Sequence, residues 1–290
     1  MTAAARPHPR SLLQRSARLA RGLALACHPL PALAVTVLTA GLAAEAGTTV
    51  IRATLITMAM LAGQLSIGWC NDAIDAERDR AVRRTDKPVA KGLLSVRATW
   101  AAAASAAAAL TVAAPLGWGA FTVLTLAVAC GWAYDLGVKA TVWSWLPYAA
   151  AFGALPGIAT LASSHPRWPA GWAVAAGALF GVAAHFANVL PDLLDDEATG
   201  VRGLPHALGP RVSAVTGPIL LLAASVSIMI GPASHGHVAL RAVGLLSTTL
   251  AAAWAALAAL RDPRSRRYFL AVIAIALLDL ALFALWGRSI

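Results

Sequence analysis

Two short stretches of the chain carry residues whose types and spacing suit chemistry. NDAIDAERD occupies 71–79, and NVLPDLLDD occupies 188–196. Both read N-x-x-x-D-x-x-x-D, through Asn71, Asp75 and Asp79 and through Asn188, Asp192 and Asp196. The second begins 117 residues after the first. Steps of four keep side chains near one helical face, each about 6 Å further along the axis. Each motif is therefore a ladder of one amide and two carboxylates, and Asp72 adds a further acid to the first. Two such ladders facing each other repel unless cations fill the space between them. The donors are hard oxygens, with none of the thiolates or paired histidines that suit zinc. They fit Mg²⁺, which is commonly held by one or two carboxylates together with substrate phosphates. Solvated loops also carry Asp, but a loop has no reason to repeat one helical spacing twice.

The residues around the ladders extend this reading. Between Asp79 and the next apolar stretch runs RAVRRTDKPVAKG (80–92). Its Arg83, Arg84, Lys87 and Lys91 can meet phosphate oxygens, Arg through two parallel hydrogen bonds and Lys as a point charge. Gln64, Gly68, Asn71 and Asp75 form one helical stripe, which places Gln64 and Gly68 on a cavity wall below the ladder or in a helix–helix contact. His185 lies one turn before Asn188 on the same face. It is read as an acceptor contact or base, or as a hydrogen-bonded histidine of the bundle.

The elements that position these groups must cross a bilayer. The 290 residues are 59% hydrophobic and 12% charged, with a formal charge of +10. A soluble domain carries about 25% charged residues, so this chain cannot cover a globular surface with charge. Its apolarity also excludes disorder. Cys27, Cys70 and Cys130 lie far apart and form no disulfide framework or zinc cluster. Apolar stretches long enough to span occur near 30–46, 50–70, 98–114, 117–134, 143–162, 170–190, 212–230, 238–260 and 267–286. The expectation is an all-α bundle of nine transmembrane helices, in two similar halves around a central cavity, each half contributing one acidic helix end. With the N-terminus cytoplasmic, nine crossings put 19 of the 23 Lys and Arg residues on the cytoplasmic side and leave Arg52, Arg167, Arg241 and Arg288 opposite. That asymmetry predicts a multi-pass cell-membrane protein with its C-terminus on the other side. Basic charge then marks cytoplasmic loops rather than nucleic-acid binding. Residues 1–28 read as a basic cytoplasmic segment, with 10–21 lying on the inner leaflet, and 29–290 as a single membrane domain. A signal peptide is the weaker reading, because prolines interrupt the first apolar run. Asp279 falls mid-span and needs a partner.

With these motifs in view, the chain resembles the UbiA-type polyprenyltransferase superfamily. NDAIDAERD and RRTDKPVAKG match its first half, PDLLDDEATGVRGLPHALG (191–209) its second, and YDLGVK (134–139) its Tyr-to-Lys loop. Val189 and Asp195 depart from residues common in the family. The resemblance implies Mg²⁺-dependent transfer of an isoprenoid chain from a prenyl diphosphate to an acceptor, aromatic or lipid-like. It implies that Asn71, Asp75 and Asp79, with Asp72 nearby, hold one Mg²⁺ and the diphosphate. Asp192 and Asp196, beside Asn188, serve a second ion. Tyr134 lines the cavity, and Lys139 meets phosphate. The partners expected are the prenyl diphosphate, its acceptor and the bilayer, with no nucleic acid and no obligate protein partner. The same scaffold also supports a terpene cyclase that ionises the same diphosphate, or phosphoribosyl transfer to a lipid phosphate. A transporter would instead favour acids near the bilayer centre.

Overall fold

The structure, a computed structural model, describes residues 9–231 and 238–284. Residues 1–8 of the basic segment and Arg288 lie outside the described residues. Among those described, every regular element is helical. In chain order they are α1 (Pro9–Ala26), α2 (Pro29–Glu45), α3 (Val50–Ile74), α4 (Ala76–Ala81), α5 (Val96–Ala108) and α6 (Trp118–Leu136). Then follow α7 (Leu146–Leu161), α8 (Gly171–Val189), α9 (Leu193–Ala198), α10 (Leu204–Ile230), α11 (Val238–Arg261) and α12 (Arg267–Ala284).

Six helical stretches among the described residues are long and apolar enough to cross a membrane, and a seventh counts if a bent pair is one span. The bent pair is Ser16–Ala26 and Pro29–Glu45, which meet at 67°. Its corner is His28, left-handed at φ 53°, directly before Pro29. Proline disfavours the α conformation in the residue before it and starts a helix well, which suits a turn at His28. The alanine-rich stretch after Ser95 begins cleanly, with Ser95 Oγ accepting from Ala98 N at 3.1 Å. It tightens to 3₁₀ winding over Ala109–Leu116, which contains Pro115. The expected span 143–162 is shorter than predicted, because turns occupy 141–145 and α7 begins at Leu146.

The two largest of four apolar clusters among the described residues lie in different parts of the bundle. The first gathers Ile56 of α3, Leu124 of α6 and Ile158 of α7. The second gathers Phe180 of α8, Leu221 of α10 and Tyr268 and Ile275 of α12. At the end of the bundle away from the two acidic motifs, Arg52 Nη1 donates to the carbonyl of Ala162 at 2.9 Å, tying α3 to the C-terminus of α7. A helix end leaves such carbonyls without partners, and the guanidinium satisfies one.

Both acidic motifs sit where a long helix breaks. Asp75 ends α3, and α4 carries the first motif onward to Asp79. Leu190–Asp192 is a 3₁₀ turn after α8, and α9 carries the second motif to Asp196. The ladders are therefore broken helices and not continuous ones. Downstream, α10 kinks at Gly209 (φ 78°), before Pro210. A side chain there would be strained, which accounts for glycine at that bend.

Candidate active site

Asn71 is the hub of the first motif. Its Nδ2 donates to Asp75 Oδ2 at 3.1 Å and to Asp135 Oδ1 at 3.0 Å. Its Oδ1 accepts from Lys87 Nζ at 3.3 Å. Lys87 Nζ also lies 3.2 Å from Asp72 Oδ1 and 3.0 Å from His28 Nε2. Asp75 is buried and holds two cations, Lys139 Nζ at 2.7 and 2.8 Å and an Arg78 guanidinium nitrogen at 2.7 Å. Two of the first motif's carboxylates, Asp72 and Asp75, are thus paired with the chain's own lysines and an arginine.

The second motif joins through the basic loop. Arg84 grips Asp86 with two bonds of 2.9 Å and reaches Asp192 Oδ1 with its other terminal nitrogen at 3.2 Å. This paired guanidinium holds the Asp86 carboxyl well below the usual carboxylate range, and the same pairing raises Arg84. Asp196 Oδ2 is 3.9 Å from His206 Nε2, and Asn188 lines the cavity described below. Arg83 and Lys91 are exposed and stand apart from this network. Arg83 occupies a left-handed turn position (φ 54°) after α4, and its neighbour Arg84 is the one engaged.

Between the two halves lies a cavity of about 220 Å³, with Asn71, Asp135 and Asn188 among its polar lining groups. Gln64, Gly68 and Tyr134 line it as the sequence suggests. Gln64 also donates to Met60 Sδ at 3.7 Å. Gly68 has a second task. A Cβ there would meet the backbone carbonyl of Cys27 at 2.5 Å, so glycine lets the α1–α2 corner rest on α3. His185 sits as a hydrogen-bonded histidine of the bundle and does not border the cavity. It is fully buried behind Tyr134 and Tyr148, whose ring centres lie 5.7 and 5.1 Å from its own. Its Nε2 is 3.0 Å from Ser144 Oγ, which accepts from Leu204 N at 2.9 Å. It braces α8 to the start of α10.

Three groups of the network escaped sequence reasoning. Asp135 follows Tyr134 within YDLGVK, but its hydrogen bond to Asn71 spans 64 residues. His28 gave only the signal of two adjoining prolines. Arg78 sits at i+3 from Asp75, a spacing that can be read from sequence.

Among the described residues, no three His, Cys, Asp or Glu side chains converge as a preformed metal site. Asp79 Oδ2, however, is buried without a hydrogen-bond partner, and so is Asp135 Oδ2. Burial raises the Asp79 carboxyl above its ordinary range, against the pull of Lys87. Unpartnered, desolvated carboxylate oxygens such as these are hard donors of the kind Mg²⁺ takes.

Comparisons with known proteins place the chain in a family and show its fold. The model of the UbiA prenyltransferase family matches residues 32–285. No curated protein sequence matches significantly. Among solved structures, an apo UbiA homolog from Aeropyrum pernix K1 superposes with a TM-score of 0.72 at 20% identity, over 86% of this chain and 97% of that one. A UbiA homolog from Archaeoglobus fulgidus bound to GPP and Mg²⁺ gives 0.69 at 15% identity, over 93% and 100%. A structure of digeranylgeranylglyceryl phosphate synthase gives 0.65 at 12% identity, over 94% and 99%. At these identities the structures establish a shared fold.

Proposed function

The chain belongs to the UbiA prenyltransferase family, and on that premise we propose that it transfers an isoprenoid chain from a prenyl diphosphate to an acceptor within the membrane. The observation that carries this reading is the placement of a dense polar network at one end of an otherwise apolar cavity. A molecule with a charged head and a hydrocarbon tail matches that division. The A. fulgidus homolog's GPP and Mg²⁺ support the same ligand class.

In this reading Asn71, Asp72, Asp75 and Asp79 would hold one Mg²⁺, and Asn188, Asp192 and Asp196 a second. Bound Mg²⁺ supplies charge neutralisation that makes the diphosphate a good leaving group. Lys87, Lys139 and Arg84 leave their carboxylates and meet the phosphate oxygens, which develop negative charge as the allylic carbon–oxygen bond breaks. Asn71 keeps the ladder aligned through Asp75 and Asp135. Tyr134 and Tyr148 present aromatic faces where the carbocation forms, and the apolar wall keeps water from it. The α2, α3, α5, α6, α7, α8, α10, α11 and α12 helices are the nine crossings, with both motifs on the cytoplasmic side of a cell membrane.

The test is incubation of purified protein in lipid with Mg²⁺ and prenyl diphosphates of several lengths, with and without aromatic and lipid acceptors. Acceptor-dependent release of pyrophosphate, abolished by EDTA and by Asp75→Ala, is the expected result. Release without acceptor and with a cyclic hydrocarbon would assign a cyclase. No release under any condition overturns the reading.

A further inference from the structure

A second, smaller cavity of about 70 Å³ adjoins the first, and Phe152, Leu155, Phe180 and Ala276 border both. Its wall is apolar, with Leu42, Trp172 and Ile228, except for one residue, Asp279 of α12. Asp279 is fully buried. Its Oδ2 accepts from Ser225 Oγ of α10 at 2.6 Å, and its Oδ1 has no hydrogen-bond partner. Among the described residues no cation pairs with it.

The second cavity lies at the end remote from the acidic motifs. Along α8, Asn188 borders the main cavity and Gly177 the second, a separation of eleven residues or about 16 Å of helix. A carboxyl at this depth contributes nothing to diphosphate binding. One oxygen would suffice to tie α10 to α12 through Ser225. The other is a buried polar atom without a partner, which native structures rarely tolerate unless something supplies one. Water is disfavoured there, because apolar cavities without several polar partners stay dry.

We propose that Asp279 and Ser225 form a hydrogen-bonding subsite for the distal end of the ligand, taking a hydroxyl or amine carried on its hydrocarbon tail. The subsite rests on the prenyl-diphosphate reading for the ligand's other end. It discriminates in two directions. A tail that brings a donor satisfies Oδ1. A plain tail of the same reach buries that oxygen against carbon, and a site built around a polar group rejects an analogue lacking its partner strongly. The subsite therefore also limits how long a plain prenyl chain the cavity accepts.

The experiment is equilibrium binding in lipid nanodiscs, with Mg²⁺, of non-hydrolysable thiodiphosphates of geranyl, farnesyl and geranylgeranyl chains. Each is compared with its counterpart bearing a terminal hydroxyl. At the length that reaches α12, the wild-type protein should bind the hydroxylated tail at least tenfold more tightly. Asp279→Leu should remove that preference and tighten binding of the plain tail. Asp279→Asn, which keeps an acceptor and the Ser225 contact, should retain it and guards against loss of fold. Tight binding of both tails with equal affinity at every length, or a preference unchanged in Asp279→Leu, overturns the subsite alone. Failure of the wild type to bind any thiodiphosphate overturns both the subsite and the reading beneath it.

Discussion

Arg84 and Asp192 stand 3.2 Å apart, and through them the loop after the first acidic motif touches the second motif directly. The pair is partly open to solvent, with the Asp192 side chain 37% exposed. A solvent-screened contact of this kind contributes about 0–1 kcal/mol to stability. Arg84→Ala and Asp192→Ala should therefore each leave the melting temperature nearly unchanged, while lowering pyrophosphate release at least a hundredfold. A large loss of stability in either variant would show that the contact holds the halves together instead.

Lys139 and Asp75 behave differently, because both are buried. Lys139→Met leaves Asp75 with Arg78 at 2.7 Å as its remaining cation. Stability should fall by about 1–3 kcal/mol, short of the full penalty for an uncompensated buried charge. Adding Asp75→Asn removes the stranded charge and should recover most of the loss. The double variant should nevertheless stay inactive. Thermal unfolding in detergent beside the turnover assay separates the two effects, and recovery of both together would contradict the metal role of Asp75.

Gly68→Ala puts a methyl group against the Cys27 carbonyl, where backbone must shift. Overpacking of this kind costs about 1–3 kcal/mol. The corner carries His28, so Lys87 should lose its contact and the affinity for prenyl thiodiphosphate should change as well. Unchanged affinity with lowered stability would confine Gly68 to packing.

Sidedness follows from the exposed positions. Arg83→Cys and Arg202→Cys should react with a membrane-impermeant maleimide from one face of sealed vesicles. Trp168→Cys, in the exposed turn before α8, should react from the other. Labelling of residues 83 and 202 from opposite faces would break the proposed site in two.

The sequence carried the site's acids more plainly than its cations' whereabouts. Asn71, Asp75 and Asp79 announce themselves because a four-residue period is local. So does the second motif, since it copies the first. That Asp75 is already held by Lys139 and Arg78, and Asp72 by Lys87, depends on a loop 64 residues away and on the path of the chain after α4. Asp135 stayed hidden for the same reason, as a single acid with a remote amide partner. The all-helical class was readable from apolar runs, but the form of the helices was not, and among the described residues six stretches, or seven with the bent pair, are long and apolar enough to cross where nine were expected. A 67° corner at His28 and the 3₁₀ tightening before Pro115 arise where local proline geometry meets packing. His185 shares a face with Asn188, yet two tyrosines from other helices stand between it and the cavity.

The α1 corner sets a deletion boundary. Residues 16–21 are exposed, but Gly22 packs on Leu94, and Leu23 O accepts from Trp69 Nε1 at 2.9 Å. Cys27 and His28 then reach α3 and Lys87. The first part of this helix is exposed, and the residues at its end pack against the wall of the main cavity. Trimming up to residue 20 should leave these contacts in place. Cutting two residues further takes away a wall, and a tag joined rigidly at that point would push on the lysine that guards the first motif.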